Sequence, residues 1–160
     1  MKRWKSTDKR PLDSMQLPPD FKEFLRLLNS TRVEYLLIGG YAVGYYGYPR
    51  TTADIDIWIS VTPDNVDKIQ QVLREFGFEP TEEIRASLSS RDRIVRMGIP
   101  PLRIEILTGI DGCDFAECHT RRRSAQMDGV EVALISLEDL KTNKKSSGRF
   151  KDLDDLENLP

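Results

Sequence analysis

The hexapeptide Asp54-Ile55-Asp56-Ile57-Trp58-Ile59 constrains this chain more than any other stretch. Its strict alternation has the period of a β-strand, in which residues i and i+2 face the same side about 6.6 Å apart. Ile55, Ile57 and Ile59 therefore share an apolar face that must be covered. Asp54, Asp56 and Trp58 share the other. A strand with a core-quality face needs a sheet around it, and carboxylates beside a core are costly unless something neutralises them. The neutralising group is the question that the rest of the sequence has to answer.

The flanking chain supplies that sheet and its helices. Val33 to Ile38 (VEYLLI) has the composition of a largely buried strand. Gly39-Gly40 breaks it, and Tyr41 to Tyr46 suits a short helix closed by Gly47 and Pro49. Upstream, Pro18-Pro19-Asp20 ends a lead-in, and Asp20 is read as the cap of a helix carrying Phe21, Phe24, Leu25 and Leu28. Thr62-Pro63-Asp64 starts a second amphipathic helix with Val66, Ile69, Val72, Leu73 and Phe76, ended by Gly77. A strand is expected around Phe78 and a helix over Glu82 to Ser90. Arg93 to Ile99 and Leu102 to Leu107 read as strands joined across Pro100-Pro101. Phe115 to Cys118 reads as a helical turn.

Asp128-Gly129 between Arg123 to Met127 and Val130 to Ile135 signals a hairpin with a type I′ turn. Ser136 with Asp139 resembles a capping box before Leu137 to Lys145. Beyond Gly148, Phe150, Leu153, Leu156 and Leu159 form an apolar stripe on a last helix. The fold class expected is α/β (α+β): a mixed β-sheet flanked by helices in a single domain, residues 20–160, behind an N-terminal lead-in, residues 1–19.

Composition narrows the function classes. With 160 residues, 31% charged and 39% hydrophobic, the chain has material for one well-packed domain. A net charge of -2 gives no general attraction to nucleic acid, so a polyanion site must be a local cluster. No apolar run is long enough to span a bilayer, and no membrane role is expected. The basic N-terminus lacks the apolar segment of a secretory signal. Cys113 and Cys118, with His119 beside them, lack the partners of a zinc site and are read as reduced thiols of a cytoplasmic protein.

Two carboxylates at the Asp54–Asp56 spacing can share a pair of divalent ions, and oxygen ligands favour Mg²⁺ or Mn²⁺. The strand LRIEIL repeats the device: Leu102, Ile104 and Ile106 point one way, and Glu105 the other. A third acid on a neighbouring strand would complete the cluster. Taken singly, these acids suit a solvent-facing strand edge equally well. Their occurrence behind Gly39-Gly40 carries the information, because bare backbone N–H groups between a strand and a helix can hold phosphate oxygens. Neither the Walker A loop nor the G-x-G-x-x-G dinucleotide fingerprint fits these glycines.

With these residues in hand, the sequence resembles the nucleotidyltransferase fold of the DNA polymerase β superfamily. The matching features are Ile38-Gly39-Gly40, the D-x-D of Asp54-Ile55-Asp56, and the later acid Glu105. It is similar in particular to small prokaryotic members related to the nucleotidyltransferase part of abortive-infection toxins. That likeness rests on Arg50-Thr51-Thr52-Ala53-Asp54-Ile55-Asp56, on Asn143-Lys144, and on Gly148 to Leu156. The third acid is often Asp in the family, and here it is the longer Glu105.

The resemblance implies a nucleoside triphosphate bound with Mg²⁺ or Mn²⁺, its phosphates lying over Gly39-Gly40. It implies Asp54, Asp56 and Glu105 as metal ligands and catalytic acids, and Lys144 as the leading cation for the triphosphate. Arg149, Arg50 and Thr52 complete the expected nucleotide site. The acceptor stays open among RNA, protein and a small hydroxylated molecule. A homodimer or a toxin–antitoxin partner could complete the acceptor site, and a regulatory nucleotide-binding protein without catalysis is the alternative reading. Arg121-Arg122-Arg123 suits a solvated stretch better than an RNA contact. Tyr41, Tyr45, Tyr46 and Tyr48 could stack a base, although at helical spacing some must pack. Trp58 shapes either the pocket or the core.

Overall fold

A computed structural model of the chain describes residues 16–48, 52–99 and 101–160. The first half runs α1 (Pro19–Ser30), β1 (Tyr35–Ile38), α2 (Gly39–Tyr45), β2 (Asp54–Ile59), α3 (Pro63–Glu75) and α4 (Glu82–Leu88). The second half runs β3 (Ile94–Met97), β4 (Arg103–Leu107), α5 (Phe115–Thr120), β5 (Arg123–Met127), β6 (Val130–Leu134), α6 (Leu137–Ser147) and α7 (Phe150–Asn158). Among the described residues these are seven helices around one mixed sheet of order β3-β4-β2-β1-β6-β5. The expected α/β class is the observed one. No helix among the described residues is long and apolar enough to cross a membrane.

β2 is the hinge of the design. It pairs antiparallel with β1, Ile38 opposite Asp56, and parallel with β4, Asp56 opposite Glu105. Because paired residues share a face, Ile55, Ile57, Ile104, Ile106 and Leu37 lie together and are buried. Burial of each is worth roughly 1.5–3 kcal/mol. A one-residue slip of β2 would drive its aspartates into that layer, so the isoleucines fix the register of the acids.

Local chemistry sets the element ends. Thr62 Oγ1 accepts the Asn65 N–H at 3.4 Å and Pro63 opens α3. Asn65 is buried and stitches β1 to β2: its Nδ2 donates to Ser60 O and Glu34 O, and its Oδ1 accepts the Glu34 N–H. Asp128 and Gly129 both have positive φ, 50° and 79°, as a type I′ turn demands. Asp128 Oδ2 also accepts the Leu17 N–H at 2.9 Å, and Leu17 is buried, tying the residues before α1 to the hairpin.

Three sequence expectations are corrected. Asp20 does not cap α1: the helix begins at Pro19 with Pro18 as its cap, and Asp20 sits in the first turn, where its charge favours the helix dipole. No strand forms at Phe78. Its N–H donates to Leu73 O at 2.8 Å while Gly77 N–H donates to Arg74 O at 3.0 Å, a Schellman closure of α3 that consumes the residue's donor. The apolar stripe of the last helix docks only at its C-terminal end, where Leu159 is buried and Leu156 half-buried. Phe150 is 94% exposed and Leu153 44%, whereas Asp152 and Asp155 are buried.

An ion-pair cluster explains that reversal. Lys144 Nζ on α6 lies 3.0 Å from Asp152 Oδ1 and 3.1 Å from Asp155 Oδ2, with side-chain exposures of 6%, 4% and 1%. Ser147 Oγ and Arg149 Nε add bonds to Asp152 Oδ2. Gly148, left-handed at φ 67°, lets the chain turn back so that α7 meets α6. Burial alone would raise the Asp152 carboxyl, but the bonds from Ser147, Arg149 and Lys144 outweigh it and hold the group at about 2. Removing the lysine leaves buried carboxylates unmatched. Lys144→Met is therefore expected to lower unfolding free energy by about 3 kcal/mol or more, read from urea denaturation at neutral pH.

Candidate active site

The cleft at one end of the sheet is a cavity of about 450 Å³. The N-terminal half of β2 supplies Asp54 and Asp56 to it, and β4 supplies Glu105. Gly39 and Gly40, at the start of α2, form one wall with Thr52; Lys144, Ser147, Arg149, Lys151 and Asp152 form the opposite one. Every residue expected at the site from sequence lines this cavity except Arg50, which lies outside the described residues together with Thr51.

Gly39 has a structural reason to be glycine. Its φ is +73°, and a Cβ there would fall on the Asp56 carboxylate. The backbone of the strand-to-helix turn thus approaches Asp56 more closely than any side chain would allow. A Cβ on Gly40 would stand 3.0 Å from both Cβ and Oγ1 of Thr52. Thr52 Oγ1 itself donates to Asp54 O at 3.1 Å, fixing the entry to β2.

The Asp56 carboxyl is pushed up to about 7. Burial is the main cause, followed by a hydrogen bond and charge repulsion from Glu105, and then the charge of Asp54. Lys151 pulls the other way. Two acids in contact, facing bare backbone, form a hard oxygen donor pair whose shared excess charge a divalent cation would relieve.

The expected meeting of three acids is only partly met. Asp54 Oδ1 lies 3.6 Å from Arg103 Nε, and Glu105 Oε2 lies 3.0 Å from Arg96 Nε. With those two carboxylates held by arginines, no three His, Cys, Asp or Glu side chains among the described residues stand as a metal-holding group. Asp56 and Glu105 remain hydrogen-bonded to each other as placed. Asp54, 31% exposed, joins them only by leaving Arg103.

Sequence reasoning missed Arg96, Arg103 and Asp152. Arg96 was findable in principle, because antiparallel pairing of RIVRMGI with LRIEIL sets Arg96 opposite Glu105. The cations of the cleft divide into two kinds. Lys144 is buried and already matched by two aspartates, whereas Arg96, Arg149 and Lys151 are exposed at the cleft.

The tyrosines and arginines singled out from sequence are structural. Tyr41 and Tyr45 are buried, Tyr46 Oη donates to Ile135 O, and Tyr48 Oη donates to Asp154 Oδ2. Arg121 forms a bidentate pair with Asp139, both bonds 3.0 Å. Arg122 donates to His119 O, and Arg123 stands over the Tyr46 ring. Cys113 and Cys118 are free thiols whose pKa values burial raises, Cys118 to about 12, so neither is an activated nucleophile.

This architecture, with paired acids on β2 and a third on the parallel neighbour, defines a nucleotidyltransferase fold. It is shared with the crystal structure of a Thermotoga maritima protein, TM1012, provisionally assigned as a nucleotidyltransferase (TM-score 0.58, 17% identity, covering 90% of this chain and 94% of that one). It is also similar to the solution structure of the antibiotic-resistance factor ANT(2'')-Ia (TM-score 0.55, 12% identity, covering 86% of this chain and 79% of the other). No curated protein matches the chain. The family model described as a nucleotidyl transferase of unknown function, DUF2204, matches residues 19–160, and the chain belongs to that family.

Two outcomes follow from the geometry. Gly39→Ala should destabilise the fold by about 1–2 kcal/mol through the left-handed backbone alone, and it should displace the Asp56 carboxylate, visible as a lost Mn²⁺-induced rise in Tm. Asp56 supplies a pH dependence. Its folded-state pKa lies above the unfolded value, so the metal-free folded protein holds a proton that the unfolded chain releases between pH 4 and 7, and stability falls as pH rises through that window. Asp56→Asn removes this linkage. In EDTA the variant should match the wild type near pH 4 and exceed it by about 1 kcal/mol or more at pH 8.

Proposed function

We propose that this protein transfers a nucleoside monophosphate from a nucleoside triphosphate to a hydroxyl group of an acceptor, releasing pyrophosphate. One observation carries the reading: Asp56 and Glu105, locked opposite each other by the β2–β4 register, are in contact beside the bare backbone of Gly39. A protein with no cation to bind gains nothing from two carboxyls that repel each other there.

A divalent cation, Mg²⁺ or Mn²⁺, would be held by Asp56 and Glu105, and by Asp54 once it leaves Arg103; it would neutralise phosphate charge. The chain's own residues do the rest. Backbone N–H groups at Gly39 and Gly40 receive phosphate oxygens, aided by the start of α2. Arg149 and Lys151, exposed at the opposite wall, and Arg96 on β3 supply positive charge to the triphosphate. Lys144 acts one step back: it holds α7 in place and thereby sets where Arg149 and Lys151 stand. Glu105 takes the proton of the acceptor hydroxyl. The acceptor oxygen forms its bond to the α-phosphorus as the bond from that phosphorus to the oxygen of the leaving pyrophosphate breaks. Positioning and charge neutralisation account for the rate.

The test is incubation with α-³²P-labelled nucleoside triphosphates, Mg²⁺ or Mn²⁺, and in turn total RNA, protein extract and small hydroxylated molecules. One class of acceptor should gain label. Asp54→Asn and Asp56→Asn should each reduce transfer by roughly a thousandfold or more, as expected when charge stabilisation at the reacting centre is lost. Undiminished transfer in both variants would refute the assignment of the acids.

A further inference from the structure

Four residues stand in one row across the sheet: Ile38 on β1, Asp56 on β2, Glu105 on β4 and Arg96 on β3, each opposite the next. The bare turn at Gly39 adjoins one end of this row, and Arg96 closes the other. All four residues line the cleft. Neighbouring strands lie about 4.8 Å apart, so Arg96 stands roughly 10 Å, two spacings, from β2. A phosphate lying over the acids is therefore within reach of the long Arg96 side chain.

Glu105 is engaged from both sides of the row. Arg96 Nε donates to its Oε2 at 3.0 Å, and Asp56 is hydrogen-bonded to it. A carboxylate binds a guanidinium through the same lone pairs that hold a cation or take a proton from a hydroxyl. The Arg96–Glu105 pair and the work assigned to Glu105 are thus alternatives. Of the two arginines that hold cleft acids, Arg96 is the one placed to leave. It lines the cleft and Arg103 does not. Its strand, β3, is an edge of the sheet, so the side chain has a neighbouring strand on one side only. It is 55% exposed, against 15% for Glu105, and half-exposed pairs are weak. A phosphate offers a guanidinium more, two parallel hydrogen bonds to a charged group.

We propose that Arg96 is a counterion switch: it neutralises Glu105 until a nucleoside triphosphate enters, then passes to the phosphates and frees Glu105. An order of binding follows. Arg96 competes with any divalent cation for Glu105, and phosphate removes that competition. Glu105 becomes available to an acceptor hydroxyl only when a nucleotide is in place. The proposal rests on the nucleotidyl-transfer reading for what the switch serves, and on the Arg96–Glu105 pair alone for its existence.

The Arg96 Nε–H reports its own partner. In the ¹⁵N-arginine-labelled full chain its resonance is assigned with Arg96→Lys, and Glu105→Gln should move it. The chain is titrated with Mg²⁺ alone, and then with Mg²⁺ and the α,β-methylene analogues of ATP, GTP, CTP and UTP. The expected result is a resonance unmoved by Mg²⁺ and shifted saturably by at least one analogue. Arg96→Gln should bind Mn²⁺ about threefold to fivefold tighter in the absence of nucleotide, read by electron paramagnetic resonance of the free ion, and should bind the Mn²⁺–analogue complex more weakly. Lys151→Gln measures the general loss of positive charge, because Lys151 pairs with no carboxylate among the described residues, and its gain in Mn²⁺ affinity should be the smaller. A resonance displaced by Mg²⁺ alone, unmoved by all four analogues, or unchanged in Glu105→Gln overturns the switch. Labelled-nucleotide transfer with an unresponsive Arg96 rejects the switch alone. A responsive Arg96 in a protein that labels no acceptor rejects nucleotidyl transfer and keeps the switch.

Discussion

The contact between Asp56 and Glu105 is the constraint around which the molecule is arranged. Two like charges on neighbouring parallel strands repel, and within the pair only a proton held on Asp56 and hydrogen-bonded to Glu105 relieves this. The opposite face of the same strands offsets it. Ile55, Ile57, Ile104 and Ile106 are buried there, each worth roughly 1.5–3 kcal/mol, and they cannot be satisfied unless the acids take the other side. The core thus holds the carboxyls together against their electrostatics. Gly39 then brings backbone close against Asp56, which adds to the burial that raises its carboxyl. The stability that the sheet provides holds two repelling acids side by side, which is how an electrostatically costly group persists in a folded protein.

The wall facing the acids is built on the opposite principle. Lys144, Asp152 and Asp155 are a buried ionic group with its charges matched internally, so it contributes position rather than field. What it positions is the segment Arg149–Lys151, whose cations remain exposed at the cleft. The same division appears on the strands, where Arg96 and Arg103 lie beside Glu105 and Asp54 at 55% and 39% exposure. Partly exposed arginines with solvent on one side exchange partners at small cost, since such pairs are worth about 1 kcal/mol or less. The acids are therefore fixed by the core, while their counterions are exchangeable.

This difference explains what the sequence disclosed. Elements whose signal is local chemistry were legible: the alternation of β2, the Thr62-Pro63 start of α3, the Asp128-Gly129 turn and the Ser136 cap all lie where their residue types place them. The acids and glycines of the cleft were legible for the same reason, because each sits on an element end or a strand period. What could not be read was pairing across distance. The leucines of α7 have helical spacing and suggested an apolar face, yet a lysine eight residues before Asp152 recruits the acidic face instead. A buried ion pair leaves no mark in hydrophobic periodicity. Lys144, expected as a cation for the triphosphate, lines the cleft wall with its charge directed at α7 rather than into the open space.

Asn65 and Trp58 show the same limit from the polar side. Asn65 reads as one more polar residue in the first turn of α3, yet three hydrogen bonds make it the clasp between β1 and β2. Trp58 reads as a core residue, and it is one by burial. Its distinction is a missing bond, which only coordinates reveal. Where nearly every buried donor is satisfied, a lone exception on the same strand face as the acids carries more weight than another polar residue in the cleft would. The acids, the arginines and the orphaned indole lie along one face of β2 and its neighbours. On that face lie two polar demands, repelling carboxyls at Asp56 and Glu105 and a buried donor at Trp58, that hydrophobic periodicity alone does not disclose.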